Sequence, residues 1–120
     1  MKKFRISPAQ LEDVAPGRGT CLASDKITVD GMPVRWTYRE EPVDKTDSGW
    51  RFFSGEESEE YTTNPANFEI YDVNTIANYD PSTVALLDSP AGSSFEKPEE
   101  SAEFVPVLDW TIPEEPYPEG

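Results

Sequence analysis

Residues 34–53 carry the pattern that most constrains this chain. Val34, Trp36 and Tyr38 alternate with Arg35, Thr37 and Arg39, the two-residue period of a strand with one apolar face. After a polar stretch from Glu40 to Gly49, a second aromatic strand follows, Trp50-Arg51-Phe52-Phe53, closed by Ser54-Gly55. Breakers such as Asp30-Gly31, Met32-Pro33, Asn64-Pro65, Asp80-Pro81 and Ser89-Pro90 recur along the chain. With 12 Pro and 7 Gly in 120 residues, no helix or strand can run long.

The other elements follow by the same rules. Thr20 to Ser24 reads as a first strand, and Ile27-Thr28-Val29 as a short β segment that stops at Asp30-Gly31. Phe68-Glu69-Ile70-Tyr71 is a further strand, and Ser94-Phe95-Glu96 a short one. Phe104 to Trp110 is apolar enough to pair, with Pro106 pointing to an edge. Short helices are expected from Ser7 or Pro8 to Val14, in the run Glu56 to Glu60, and over Val73 to Asn78 behind an Asp72 cap. Another starts at Asp80-Pro81 and turns Val84, Leu86 and Leu87 to the core. Lys97 to Ala102 reads as solvated loop. The pattern implies an α+β single domain, a small, mainly antiparallel sheet with short helices. Its expected divisions are an N-terminal segment 1–19, a folded domain 20–112 and a Pro/Glu-rich tail 113–120.

Charge separates the two halves of the sequence. Residues 1–53 hold nine Lys and Arg against eight Asp and Glu, while residues 54–120 hold one against sixteen; together these give the net charge of −14. Such acidity disfavours nucleic acid, whose phosphates need Lys and Arg, and anionic membrane surfaces for the same reason. It suits a basic protein partner. No run approaches the 18 apolar residues of a membrane span, and the start Met1-Lys2-Lys3-Phe4-Arg5 has no apolar stretch behind it. A single cysteine, Cys21, allows no intrachain disulfide and fits a reducing, cytoplasmic setting.

The same inventory removes most chemistry. Without histidine there is no Ser-His-Asp or Cys-His centre and no His-based metal site, and one cysteine cannot make a thiolate zinc site. Gly17-Arg18-Gly19 does not extend into a dinucleotide fingerprint. Asp44-Lys45-Thr46-Asp47-Ser48-Gly49 lacks the spacing and closing Glu of a calcium loop and reads as a turn. Neither a catalytic residue, nor a metal, nor a cofactor is expected. The aromatic strands could line a ligand groove, but alternating aromatics on strands are more often core. Arg35, Arg39 and Arg51 are expected to share a solvent face and to pair with acids such as Glu40 or Glu69. Candidate partner-binding residues are Glu56, Glu57, Glu59 and Glu60, with Asp80 and Asp88. Phe53 joins them as the aromatic on the face opposite Trp50 and Phe52.

Several segments resemble a known family. They are Tyr38-Arg39-Glu40-Glu41-Pro42, Asp47-Ser48-Gly49-Trp50-Arg51-Phe52-Phe53-Ser54-Gly55, Ile70 to Pro81 (Ile-Tyr-Asp-Val-Asn-Thr-Ile-Ala-Asn-Tyr-Asp-Pro) and Leu86 to Phe95. Over roughly residues 20–96 the chain is similar to a bacterial family first described as a domain of unknown function and now grouped with the immunity-protein-like domains of polymorphic toxin systems. The resemblance implies a small, non-enzymatic cytosolic protein that binds a cognate toxin and blocks it. Toxins that attack nucleic acid are often basic, and an acidic inhibitor would meet them quickly. The resemblance carries over no functional residues.

Overall fold

Two residues each end a strand and begin a helix. In the computed structural model, which describes residues 2–108 and 110, Ser24 closes β1 (Thr20–Ser24) and its side chain accepts from the Lys26 N–H to start α1 (Asp25–Thr28). Asp72 closes β4 (Phe68–Asp72) and accepts from the Asn74 N–H to start α3 (Val73–Tyr79). A small side chain that can take a backbone N–H is what a helix start requires. The remaining elements are β2 (Trp36–Arg39), β3 (Asp47–Phe53), α2 (Glu59–Thr62), β5 (Ser94–Glu96) and β6 (Val105–Pro106), with 3-10 turns at Pro8–Gln10, Pro65–Asn67 and Pro81–Leu86.

The six strands form one sheet in the order β4-β1-β3-β2-β5-β6. Only β1 and β3 run parallel; every other pair is antiparallel. The α+β reading with a mainly antiparallel sheet therefore stands. Pro106 lies on the edge strand, where its missing N–H is harmless.

Side chains alternate across the sheet. Cys21, Ala23, Trp50 and Phe52 point to the side covered by α1, α3 and the Pro81–Leu86 turn, where Ile27, Val73, Ile76, Ala77 and Leu87 complete the main core. Leu22, Trp36, Tyr38, Phe53 and Phe68 belong to a second cluster on the opposite side, with Tyr61 and Trp110 packed against it. Burial pushes the Cys21 thiol well above its ordinary range, which makes it an inert core residue.

Several expectations fail for local reasons. Ile27 and Thr28 are helical because Ser24 caps α1, and Val29 is its C-cap, so Asp30-Gly31 follows a helix and makes no hairpin. The helix expected up to Val14 is only a 3-10 turn. Asn74 and Asn78, one turn apart on α3, take the backbone of the next residues: Asn74 accepts from the Val14 and Ala15 N–H groups, and both amides donate to the Glu12 carbonyl. Val34 leaves the face of Trp36 and Tyr38 for the helix-side core, its N–H donating to Asp80. Leu86 and Leu87 are buried as expected, but Val84 is 36% exposed. Lys97 is buried rather than solvated, because its ammonium pairs with Asp80 at 2.7 Å. The tail beyond residue 110 lies outside the described residues.

Candidate functional site

The second face of the sheet is where polar and aromatic groups converge. On β2, Trp36 pairs across to Phe53 of β3 on one side and Glu96 of β5 on the other, so these three share a face. One row along, Tyr38 pairs with Arg51 and Ser94. Tyr38 stacks on Phe53 at 5.9 Å, and Phe53 meets Phe68 edge-on at 6.0 Å. Trp110 arrives from beyond β6 and stands perpendicular to Trp36 at 4.9 Å, beside Tyr38 at 5.0 Å. These offset and edge-on arrangements are the favourable ones for aromatic quadrupoles.

A groove of about 580 Å³ opens beside this cluster. Trp36, Tyr38 and Phe53 line it together with Arg35, the turn Ser54 to Glu57, Thr62, and Glu96 to Glu99. The turn is held by Glu57, whose carboxylate accepts from the N–H and hydroxyl of Ser54 and the N–H of Gly55.

Next to the aromatics lies a buried charge cage. Arg51 donates to Glu40 at 2.6 Å and to both oxygens of Asp47 at 2.8 and 2.9 Å, and all three side chains are largely covered. Burial opposes the Asp47 carboxylate, but hydrogen bonds from Arg51 and from the Gly49 and Val43 N–H groups outweigh it and bring its pKa down to about 2. The cage depends on Gly49. This residue sits at φ +92°, and a Cβ there would collide with the Glu40 carbonyl oxygen.

The sequence matches the family described as the Immunity protein Imm33 domain over residues 21–108. The chain belongs to this family. The matched stretch runs from within β1 to just past β6, so it takes in all of the immunity domain's sheet except Thr20. No curated protein and no solved structure matches the chain.

The segment 47–55 that carries the resemblance is spent on the fold of this immunity domain. Trp50 and Phe52 fill the helix-side core, Arg51 fills the cage, Phe53 faces the second cluster, and Ser54 and Gly55 form the turn on Glu57. The shared solvent face expected for Arg35, Arg39 and Arg51 does not exist. Arg51 is buried, Arg39 lies over the Trp50 ring at 5.7 Å, and Arg35 donates to the carbonyls of Lys97 and Pro98.

The candidate contact residues divide. Glu56, Glu59 and Glu60 are exposed, the latter two in the first turn of α2 behind the Ser58 cap. Glu57 is half-buried and occupied by the turn. Phe53, expected to be exposed, is 7% exposed because Tyr38 and Phe68 cover it. Asp80 is buried, accepting from Lys97, Ser82 and the Val34 N–H. Burial opposes its charge, but those bonds prevail and hold its carboxyl below the usual range. Asp88 is exposed and pairs with Arg18 at 2.7 Å. Sequence reasoning passed over Glu96, Glu99 and Trp110. The Phe95-Glu96 alternation on β5 was the available signal for Glu96, since Phe95 packs on the main core and Glu96 must then face the groove.

Among the described residues, no group of three or more Cys, Asp or Glu could hold a metal ion. The Asp44 carboxylate instead ties its own turn, accepting from Thr46 and the Asp47 N–H. No helix among the described residues is long and apolar enough to cross a membrane.

Proposed function

We propose that this chain is an immunity-type inhibitor that binds a cognate bacterial toxin in the cytoplasm without catalysing a reaction. The observation that carries this reading is the family match over residues 21–108, which touches all six strands of the sheet. The contact surface includes Glu56, Glu59 and Glu60, which stand exposed beside the groove and suit a basic toxin. Exposed carboxylates of this kind act mainly on the association rate, by steering, and salt screens them.

The test takes the genes that flank this chain's own and expresses any candidate toxin among them with and without the chain. Co-expression is expected to protect a host from that toxin, and purified chain is expected to bind it. Reversal of charge at Glu56, Glu59 and Glu60 to Lys should slow association at least about tenfold at low salt and less at high salt. An on-rate indifferent to these changes removes the patch, and a host killed despite co-expression removes the reading. A second reading, a ligand- or peptide-binding module, draws on the groove beside Trp36; the full burial of Trp50 in the core counts against its wider form.

A further inference from the structure

We infer that the outer edge of β4 is a docking site for an extended segment of the protein partner, one with basic side chains that adds to the sheet as a further strand. The identity of that partner rests on the immunity reading; the edge itself follows from the sheet. β4 stands at one end of the strand order, and among the described residues no strand pairs with its outer side. The Val73 N–H donates to the Gly19 carbonyl, which fixes the phase of the ladder between β4 and β1. Hydrogen-bonded pairs alternate along an antiparallel ladder, so Glu69 and Tyr71 turn their backbone groups to β1. Ile70 and Asp72 turn theirs outward. Ile70 thus presents both its N–H and its carbonyl, and Asp72 its N–H, with no backbone partner among the described residues.

The two edges of the sheet are built differently. β6 has two residues, and its Pro106 has no N–H to offer. β4 has five, in unbroken register with β1. Proteins usually blunt an edge of that length with Pro, Lys or a bulge, and β4 carries none of the three. At its centre Ile70 holds an apolar side chain 74% exposed. Its charges are Glu69 and Asp72, and they decide the occupant. Lys2 reaches Glu69 at 3.8 Å but sits closer to Asp25, at 3.0 Å, and the Glu69 side chain stays 45% exposed. A second copy of the chain would bring the same acids and a net charge of −14, so it is repelled. The chain's own end fits no better: residues 111–120 hold three Pro, which lack an N–H, and three Glu. A partner strand with an apolar residue beside Ile70 and Lys or Arg beside Glu69 meets every feature of the edge. Backbone hydrogen bonds then supply affinity, and the alternating side chains supply choice.

The test has two arms on the full chain. In the first, the peptide acetyl-Lys-Val-Lys-Val-Lys-Val-Lys-amide is titrated while backbone amide resonances and their hydrogen exchange are followed by NMR. Expected are saturable shifts at the Ile70 and Asp72 amides and exchange at Ile70 slowed at least about tenfold. A strand pairs through one of its edges only. One version of the peptide is N-methylated on its valines and another on its lysines; one of the two should bind and the other should not. Equal binding of both, which marks mere attraction to an acidic surface, or of a version with Glu in place of Lys, overturns the proposal. Ile70→Lys should weaken the parent peptide at least about tenfold by setting like charges side by side, and Val105→Lys on the opposite edge should leave it unchanged. Both positions are exposed, so the variants keep the fold. The proposal also fails if the peptide moves no β4 amide. It fails if the Ile70 amide is already protected in the chain alone, by a second copy at high concentration or by residues that truncation after Trp110 removes.

In the second arm a toxin from the flanking genes is bound to the chain. Binding that Ile70→Lys leaves intact, with exchange at the Ile70 amide unchanged in the complex, sinks the edge and leaves the immunity reading standing. Edge-specific binding of the peptide by a chain that protects against none of the flanking candidates keeps the edge and sinks that reading.

Discussion

On one face of the sheet, Trp50, Phe52, Ile27 and Ile76 meet under short helices, each at 1% exposure or less. On the other, a similar supply of aromatics shares its space with a charged Arg51, two carboxylates and an open groove. The first face stabilises by excluding water from apolar area. The second buries paired charge beside its aromatics and leaves carboxylates at the rim of the groove, such as Glu56 and Glu96, exposed to solvent. Loss of a side chain should therefore be a volume problem on one face and a charge problem on the other.

The largest effect is expected from Phe52→Ala, which opens a cavity in the dry core. It should lower unfolding free energy by about 4 kcal/mol in urea titration. A loss below about 1 kcal/mol would mean that this face is not tightly packed. Next comes Arg51→Met, which leaves Asp47 and Glu40 buried without their cation; a loss of about 3 kcal/mol is expected. The triple change Arg51→Met, Asp47→Asn, Glu40→Gln should recover most of it, because no uncompensated charge remains. Failure of that recovery would show that the cage matters through shape rather than charge.

Acid should weaken the charge cage of the second face. The Asp47 pKa, about 2 in the folded chain, lies below its unfolded value of about 3.9. Its contribution is thus complete above about pH 5 and fades as pH falls toward 2, amounting to about 2 kcal/mol. Urea midpoints between pH 6 and 3 should fall in the native chain and fall less in Asp47→Asn. A parallel decline in both would place the acid sensitivity elsewhere, with Asp80 the next carboxyl to examine. The smallest effect belongs to Ile70→Ser, on the edge strand β4. Ile70 is 74% exposed, and the change should stay within about 0.5 kcal/mol. A larger loss would mean that the apolar face continues past Phe68.

Much of the frame was legible in the sequence. Trp36 and Tyr38 announced one face by alternation, Asp72 and Asp80 announced helix starts as caps, and Pro106 announced an edge. The errors came where a distant partner decided. Ile27-Thr28-Val29 has β-branched residues throughout, yet the Ser24 cap and the core beneath put Ile27 and Thr28 in a helix. Lys97 and Asp80 each look like surface residues until the fold brings them together, seventeen positions apart. Phe53 was placed on the correct face, but its exposure depended on Phe68 and Tyr38 lying over it. The groove was out of reach for the same reason, since Glu56 and Glu96 meet only through the pairing of β2 with β3 and β5. Local rules name the faces of strands; they do not say which loop will close over them.

Because β1 lies between β3 and β4, the first strand to be synthesised has no neighbour until residues 47–53 and 68–72 exist. The β2–β3 pair, by contrast, joins Trp36 to Phe53 across a short connection and has the lower closure entropy. Assembly should therefore begin in the middle of the chain and finish by drawing in its beginning, a slow route set by topology. A chain arrested before residue 68 holds β1 with at least one edge bare. The sheet of the described residues is completed only when β6 is added at residues 105–106, well after the strands at its centre.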